Sequence, residues 1–191
     1  SLINNAGYGI AGAVEELSID EYRGIMETNY FGVVALTKAF LPFLREHKNG
    51  RIIQISSGFG RFGVPLMSAY NASKFALEGF SEALRYEMLP FNVFVSLIEP
   101  GPVKTEFNVN MAEGPQGVGS PYEKLYKRAD QVVASAEGFA SESRDVSKMV
   151  QKACEARYPS LRYEVGLPVS AARVTTQLVP QGWIEDIYRF V

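Results

Sequence analysis

Arg51-Ile52-Ile53-Gln54-Ile55-Ser56-Ser57, the glycine-rich loop 58–67, and Ser68-Ala69-Tyr70-Asn71-Ala72-Ser73-Lys74 leading a run to residue 89 are three consecutive stretches that decide the fold. The first is short, β-branched and largely apolar, the pattern of a strand buried on both faces of a parallel sheet. The third carries apolar residues at helical spacing and is stopped by Pro90, so 68–89 reads as a long helix. Working outward, 92–98 is another buried strand, ending at Glu99-Pro100-Gly101-Pro102. Residues 20–47 read as a second long amphipathic helix, with Tyr22, Ile25, Met26, Tyr30, Val33, Val34, Leu36, Thr37, Phe40 and Leu44 at helical spacing and Asp20 as its cap. Ile3 closes a strand ahead of the turn Asn4-Asn5-Ala6-Gly7-Tyr8-Gly9. Such alternation predicts an α/β fold, a parallel sheet covered by helices with ligands at the C-terminal strand ends. Residues 106–142, broken by Gly114, Pro115, Gly117, Gly119 and Pro121, read as an irregular flap. A helix over 143–157, a strand over 161–166 and one or two short helices in the tail complete the expectation.

Composition narrows the function classes. The 191 residues suffice for one well-filled core, and 47% apolar and 21% charged residues are ordinary for a globular domain. A net charge of −2, with Lys and Arg scattered, leaves no footprint for nucleic acid or an anionic membrane surface. No apolar run is long enough to suggest a membrane span. Cys154 is the one cysteine, which fits a reducing, cytoplasmic setting. His47 is the one histidine and reads as a solvated helix C-terminus, so neither a Ser-His-Asp hydrolase nor a multi-histidine metal site is expected.

Tyr70 and Lys74 lie four apart on a helix and therefore share a face. An ammonium beside a phenol favours the phenolate, so this pair suits proton transfer near neutrality. Alone, Tyr-x-x-x-Lys occurs at the level of chance. Ser57, thirteen residues upstream at a strand end, adds a hydroxyl that orients a carbonyl or alcohol oxygen, although by residue type it reads equally as a turn cap. Ser56 competes with it for this role. Asn29 lies mid-helix, where asparagine is ordinarily a mildly unfavourable surface residue.

Together, Asn4-Asn5-Ala6-Gly7, Asn29, Ser57, Tyr70-x-x-x-Lys74 and Pro100-Gly101-Pro102-Val103-Lys104-Thr105 resemble the short-chain dehydrogenase/reductase family in order and spacing. The stretch from Tyr70 to Leu84 with Glu99 to Thr105 is most similar to the branch of 17β-hydroxysteroid and retinol dehydrogenases. The resemblance implies NAD or NADP as cofactor and an alcohol or carbonyl compound as substrate, with an apolar, steroid- or retinoid-like molecule expected. It implies Tyr70 as general acid or base, Lys74 as the group that lowers its pKa and holds the nicotinamide ribose, and Ser57 as the anchor of the substrate oxygen. Asn29 would kink its helix to seat a water that relays protons to Lys74. Asn4, Ala6 and Gly7 would lie beside the adenosine ribose, while Pro100, Gly101, Val103 and Thr105 would place the carboxamide. Phe59, Pro102 and Phe107 are the further substrate contacts expected, with Phe62, Met111, Tyr122, Leu125 and Tyr126 as apolar candidates around them. The two long helices would build a homodimer or homotetramer, with Phe40, Phe80 and Leu84 as interface candidates.

Gly58-Phe59-Gly60-Arg61-Phe62-Gly63 matches G-x-G-x-x-G after a strand. It is rejected as a phosphate site because Val64-Pro65-Leu66-Met67 separates it from the next helix N-terminus. The resemblance places the true glycine-rich turn before Ser1, within on the order of 80 further residues. The chain then reads as a single partial Rossmann-like domain over 1–191, the C-terminal part of a doubly wound sheet with strands corresponding to 4-5-6-7. A catalytically inactive binding or interaction module lacking the phosphate-binding half is the alternative.

Overall fold

Ile52, Ile53, Leu97 and Ile98 have no solvent exposure, which a strand achieves only when both faces of its sheet are covered. The computed structural model describes residues 1–105, 107, 111–113, 119–166, 180, 182, 183, 185 and 186. Their elements are β1 (Leu2–Asn4), β2 (Ile10–Ala11), α1 (Ile19–Met26), α2 (Gly32–His47), β3 (Arg51–Ile55), α3 (Ser68–Met88), β4 (Phe94–Pro100), β5 (Val103–Lys104), β6 (Ala112–Glu113), α4 (Glu123–Glu137), β7 (Ser141–Glu142), α5 (Ser143–Glu155) and β8 (Arg162–Val165). Strands β1, β3, β4 and β8 form one parallel sheet in that order, with Ile52 opposite Leu2 and Val95. The expected contiguous run of four parallel strands is therefore present.

One face packs Leu2, Ile52, Val95 and Leu97 against Val33 and Leu44 of α2 and Leu77, Leu84 and Met88 of α3. The other packs Ile53, Ile98 and Val165 against Val146, Met149, Val150 and Ala153 of α5. Each fully buried aliphatic side chain contributes about 1.5–3 kcal/mol, so these two layers carry the fold. Leu84 is buried in this core, which removes it from the expected interface, while Phe80 packs half-buried against it. Among the described residues no helix is long and apolar enough to cross a membrane.

Several expectations change at element ends. The first long helix is capped by Ser18, not Asp20: the Ser18 hydroxyl accepts from Glu21 N–H while the Glu21 carboxylate accepts from Ser18 N–H, a reciprocal box that starts two residues earlier. That helix is interrupted between α1 and α2 by a five-residue π turn, Glu27–Phe31. Strand β4 starts at Phe94, because Asn92, with a φ of 55°, ends the turn Leu89–Phe91. The flap is not irregular throughout, since α4 occupies much of it. Past Pro121, Leu125, Tyr126 and Ala129 recur at helical spacing and pack on Ala13 and Leu66, contacts that local sequence does not advertise. Gly114, Pro115 and Gly117, and most of the tail expected to be helical, lie outside the described residues.

Candidate active site

Three loops meet at the C-terminal edge of the sheet: residues 5–9 after β1, 56–67 after β3 and 101–105 after β4. Right-handed parallel crossovers gather such loops on one side. Tyr70, in the first turn of α3, is buried there with Ala69, Ile10, Leu17 and Ile25. Ser57 has extended backbone, φ −161°, and its side chain does two jobs. Its hydroxyl oxygen accepts from Phe59 N–H at 3.1 Å, capping the short 3-10 turn Gly58–Gly60, and the same side chain lies on the Tyr70 phenol, where it favours the phenolate. Ser56 turns away and donates to Glu78 Oε1 at 2.6 Å in the interior.

Lys74 is buried one turn further along α3. Its ammonium donates to Ile55 O at 2.9 Å and lies 5.6 Å from the Tyr70 ring centroid. Asn29 sits in the π turn with 1% exposure. Its Oδ1 accepts from Tyr8 N–H at 3.1 Å, while Nδ2 donates to Tyr8 O at 2.9 Å and to Ser73 Oγ at 3.0 Å. Ser73 donates onward to Tyr70 O at 2.8 Å. The expected kink is therefore a π bulge, a feature common at functional sites, and its asparagine ties the loop after β1 to the Tyr70 helix.

The sequence reading has Lys74 drawing the Tyr70 pKa down. Burial acts the other way and pushes the phenol up to about 12, with the Ser57 hydrogen bond opposing it. Burial likewise pushes Lys74 down to about 8, against the pull of the Glu78 carboxylate. In this protein the pair starts as a neutral phenol beside an ammonium that gives up its proton readily.

Aromatic rings flank Tyr70: Phe59 at 6.3 Å and Phe107 at 5.6 Å between centroids, with Phe62 packed on Phe59 at 5.7 Å. Phe107 and Met111 close over Gly9, where a Cβ would lie 3.0 Å from the Phe107 ring. Tyr122 and Tyr126 instead serve α4, donating at 2.7 Å to Glu15 and at 2.6 Å to Glu16. Leu125 packs with them.

The turn 100–105 is stitched down: Ser141 N–H donates to Pro102 O at 2.9 Å, β5 pairs with β7, and Lys104 meets Glu142 at 2.7 Å. Gly101 N–H donates to Val165 O at 3.0 Å, so Pro100 and Gly101 continue the sheet, while Pro102 and Thr105 stay exposed. Val103 is half-buried. Asn4 is turned inward, its amide donating to Gln54 Oε1 at 2.8 Å and Thr37 Oγ1 at 3.3 Å. Ala6 and Gly7 are exposed beside Lys74.

Sequence reasoning passed over Ser73, Tyr8 and Asn71. Asn71 donates to Phe59 O and Phe62 O at 2.6 and 3.0 Å and accepts from Val64 N–H, clamping the loop onto α3. The only signal for it was a buried-side position next to Tyr70. The G-x-G-x-x-G decoy has a packing origin: a Cβ at Gly60 would lie 3.0 Å from Glu78 Cγ and 3.2 Å from Lys74 O.

Residues 1–116 match the short chain dehydrogenase family. The chain is 41% identical over 179 residues to human retinol dehydrogenase 8, covering 88% of this chain and 57% of that protein. It is 40% identical over 167 residues to 3-ketodihydrosphingosine reductase of Bacteroides thetaiotaomicron, covering 86% and 62%. The chain thus spans little more than half the length of the first and under two thirds of the second. A crystal structure of a short chain dehydrogenase from Burkholderia cenocepacia in complex with NADP superposes with a TM-score of 0.72 at 27% identity, over 95% of this chain and 65% of that one. The matched stretch runs through the residues that the geometry gathers around Tyr70, and the chain belongs to the short-chain dehydrogenase/reductase family.

Proposed function

We propose that the protein carrying this chain is an NAD(P)-dependent oxidoreductase that interconverts a secondary alcohol and a ketone on an apolar, steroid- or retinoid-like substrate. The observation that carries this reading is the buried Tyr70 phenol, walled by Phe59 and Phe107 at the ligand edge of the sheet, with Lys74 one turn along its helix and Ser57 beside it. Tyr70 gives its proton to the carbonyl oxygen in reduction and takes it back in oxidation. Ser57 holds the same oxygen. The rings exclude water and match an apolar substrate body, and Pro102 borders the mouth. The relatives named for retinol and for 3-ketodihydrosphingosine support an extended apolar substrate.

The site fits a nicotinamide nucleotide. A Cβ at Gly7 would lie 3.0 Å from Asn29 Oδ1 and 3.7 Å from Lys74 Nζ, so the exposed strand end forms an open cradle leading to a buried ammonium. Lys74, with backbone groups of Asn4, Ala6, Gly7, Pro100, Gly101, Val103 and Thr105, would hold the nucleotide, which supplies the hydride when bound. Titration with NADH or NADPH should give a saturable fluorescence change. Absence of saturation with either nucleotide sinks the reading, and saturation without turnover on any alcohol or ketone would identify a binding module instead.

We infer further that the protein forms a homodimer or homotetramer. Leu36, Phe40 and Phe43, at i, i+4 and i+7 on α2, are 52, 43 and 57% exposed and form one apolar stripe. Light scattering should give at least a dimer, and Leu36→Glu with Phe43→Glu should shift it to monomer. A monomeric parent protein would end this inference.

A further inference from the structure

Glu78 lies on α3 one turn beyond Lys74 and is 5% exposed. Its Oε1 accepts from Ser56 Oγ at 2.6 Å, and its Oε2 faces Arg162 Nε at 3.1 Å and Arg61 Nη1 at 3.8 Å. Gly60 lets the loop close over it, since any Cβ there would strike the Glu78 side chain. A carboxylate held by groups from a strand end, a loop and the last strand has little freedom to turn away from its helix neighbour.

Among the described residues, the charged groups around Glu78 are Arg61 from the loop, Glu99 from β4, Arg162 and Glu164 from β8, and Glu82 from α3. Tyr70 is the titratable group beside Lys74. Glu99 is fully buried, with Arg162 Nε at 3.1 Å and Arg61 Nη1 at 3.7 Å, and burial pushes it up to about 7, with Glu78 adding to the shift. Arg162 also binds Glu82 at 2.9 Å. Three carboxylates therefore share two guanidiniums. The buried Lys74 ammonium, one helical turn from Glu78, has one backbone carbonyl, Ile55 O, at 2.9 Å. Desolvation works against that ammonium and the Glu78 charge works for it.

We propose that Glu78 is a positioning residue of the active site: its clamped, buried carboxylate keeps the Lys74 side chain in its ammonium form. Ser56, Arg61 and Arg162 fix that carboxylate in the interior one helical turn from the lysine. The consequence for function rests on the role proposed above for Lys74, but the electrostatic assignment does not.

The test follows Lys74 directly by NMR on protein labelled at the lysine ε-carbons, with its signal assigned through Lys74→Arg. Glu78→Gln should lower the Lys74 titration midpoint by about one pH unit or more, and Glu78→Asp should restore part of it. Arg61→Gln, which removes a cation and spares the carboxylate, should move the midpoint upward. An unchanged midpoint in Glu78→Gln overturns the proposal. If that variant fails to fold, Arg61→Gln decides, and no upward movement overturns it. A packing role alone lowers both melting temperatures with the midpoints unmoved. NADPH binding measured against pH in the same proteins separates the two readings: a moved midpoint in a protein that binds no nucleotide leaves the Glu78 assignment standing and removes the proposed function.

Discussion

Tyr70→Phe should lower turnover about a thousandfold while leaving nucleotide affinity and melting temperature nearly unchanged. The ring keeps its contacts with Phe59 and Phe107, and the Ser57 hydroxyl keeps the Phe59 N–H, so only the proton carrier is removed. Steady-state rates and a fluorescence titration measure the two effects, and a variant that still turns over refutes the role. The pH dependence has a definite sign. With the phenol pushed up to about 12 it stays protonated between about pH 7 and 9, so oxidation, which needs the phenolate, should accelerate across that interval, while reduction keeps its proton donor and should weaken only as Lys74, pushed down to about 8, loses its ammonium and its hold on the nucleotide. The same shift acts on stability. Because the folded value lies above the unfolded one, near 10, the stability tied to the protonated phenol is fully present below pH 10 and is lost as pH rises through about 12. Denaturation curves should show that alkaline loss in the parent protein and a smaller one in the Phe variant.

Asn29→Ala should cost about 2–4 kcal/mol of stability and at least tenfold in turnover. The amide closes a circuit between Tyr8 N–H, Tyr8 O and Ser73 Oγ, and Ser73 passes the constraint to the backbone of Tyr70. Without it, buried polar groups lose partners and the π turn loses the contact that holds it against the loop after β1. Urea denaturation reads the first effect and steady-state kinetics the second. A variant equal to the parent in both would remove Asn29 from the site.

The parallel sheet was readable because its signals are local. The β-branched run at 51–56 and the helical periods at 20–47 and 68–89 repeat over distances a strand or helix can sense, and Pro90 stops α3 through its own ring geometry. The order and spacing of Asn29, Ser57, Tyr70 and Lys74 pointed to the candidate site, since crossovers of fixed hand bring the loops at strand ends to one edge.

What local sequence does not carry is anything set by a sum over distant neighbours. Helix α4 owes its seat to Ala13 and Leu66, far from it in the chain. Ser57 and Ser56 are chemically alike, and the alternating sides of an extended backbone decided that one faces the Tyr70 phenol and the other Glu78. Asn4, expected at a ligand, spends its amide on Gln54 and Thr37 because the strand end buries it. The proton affinity of Tyr70 moved opposite to the expectation for the same reason. A four-residue spacing specifies that an ammonium is near, but the water removed by Ile10, Leu17, Phe59, Phe107 and the rest of the cluster outweighs it, and desolvation is a property of the packed whole.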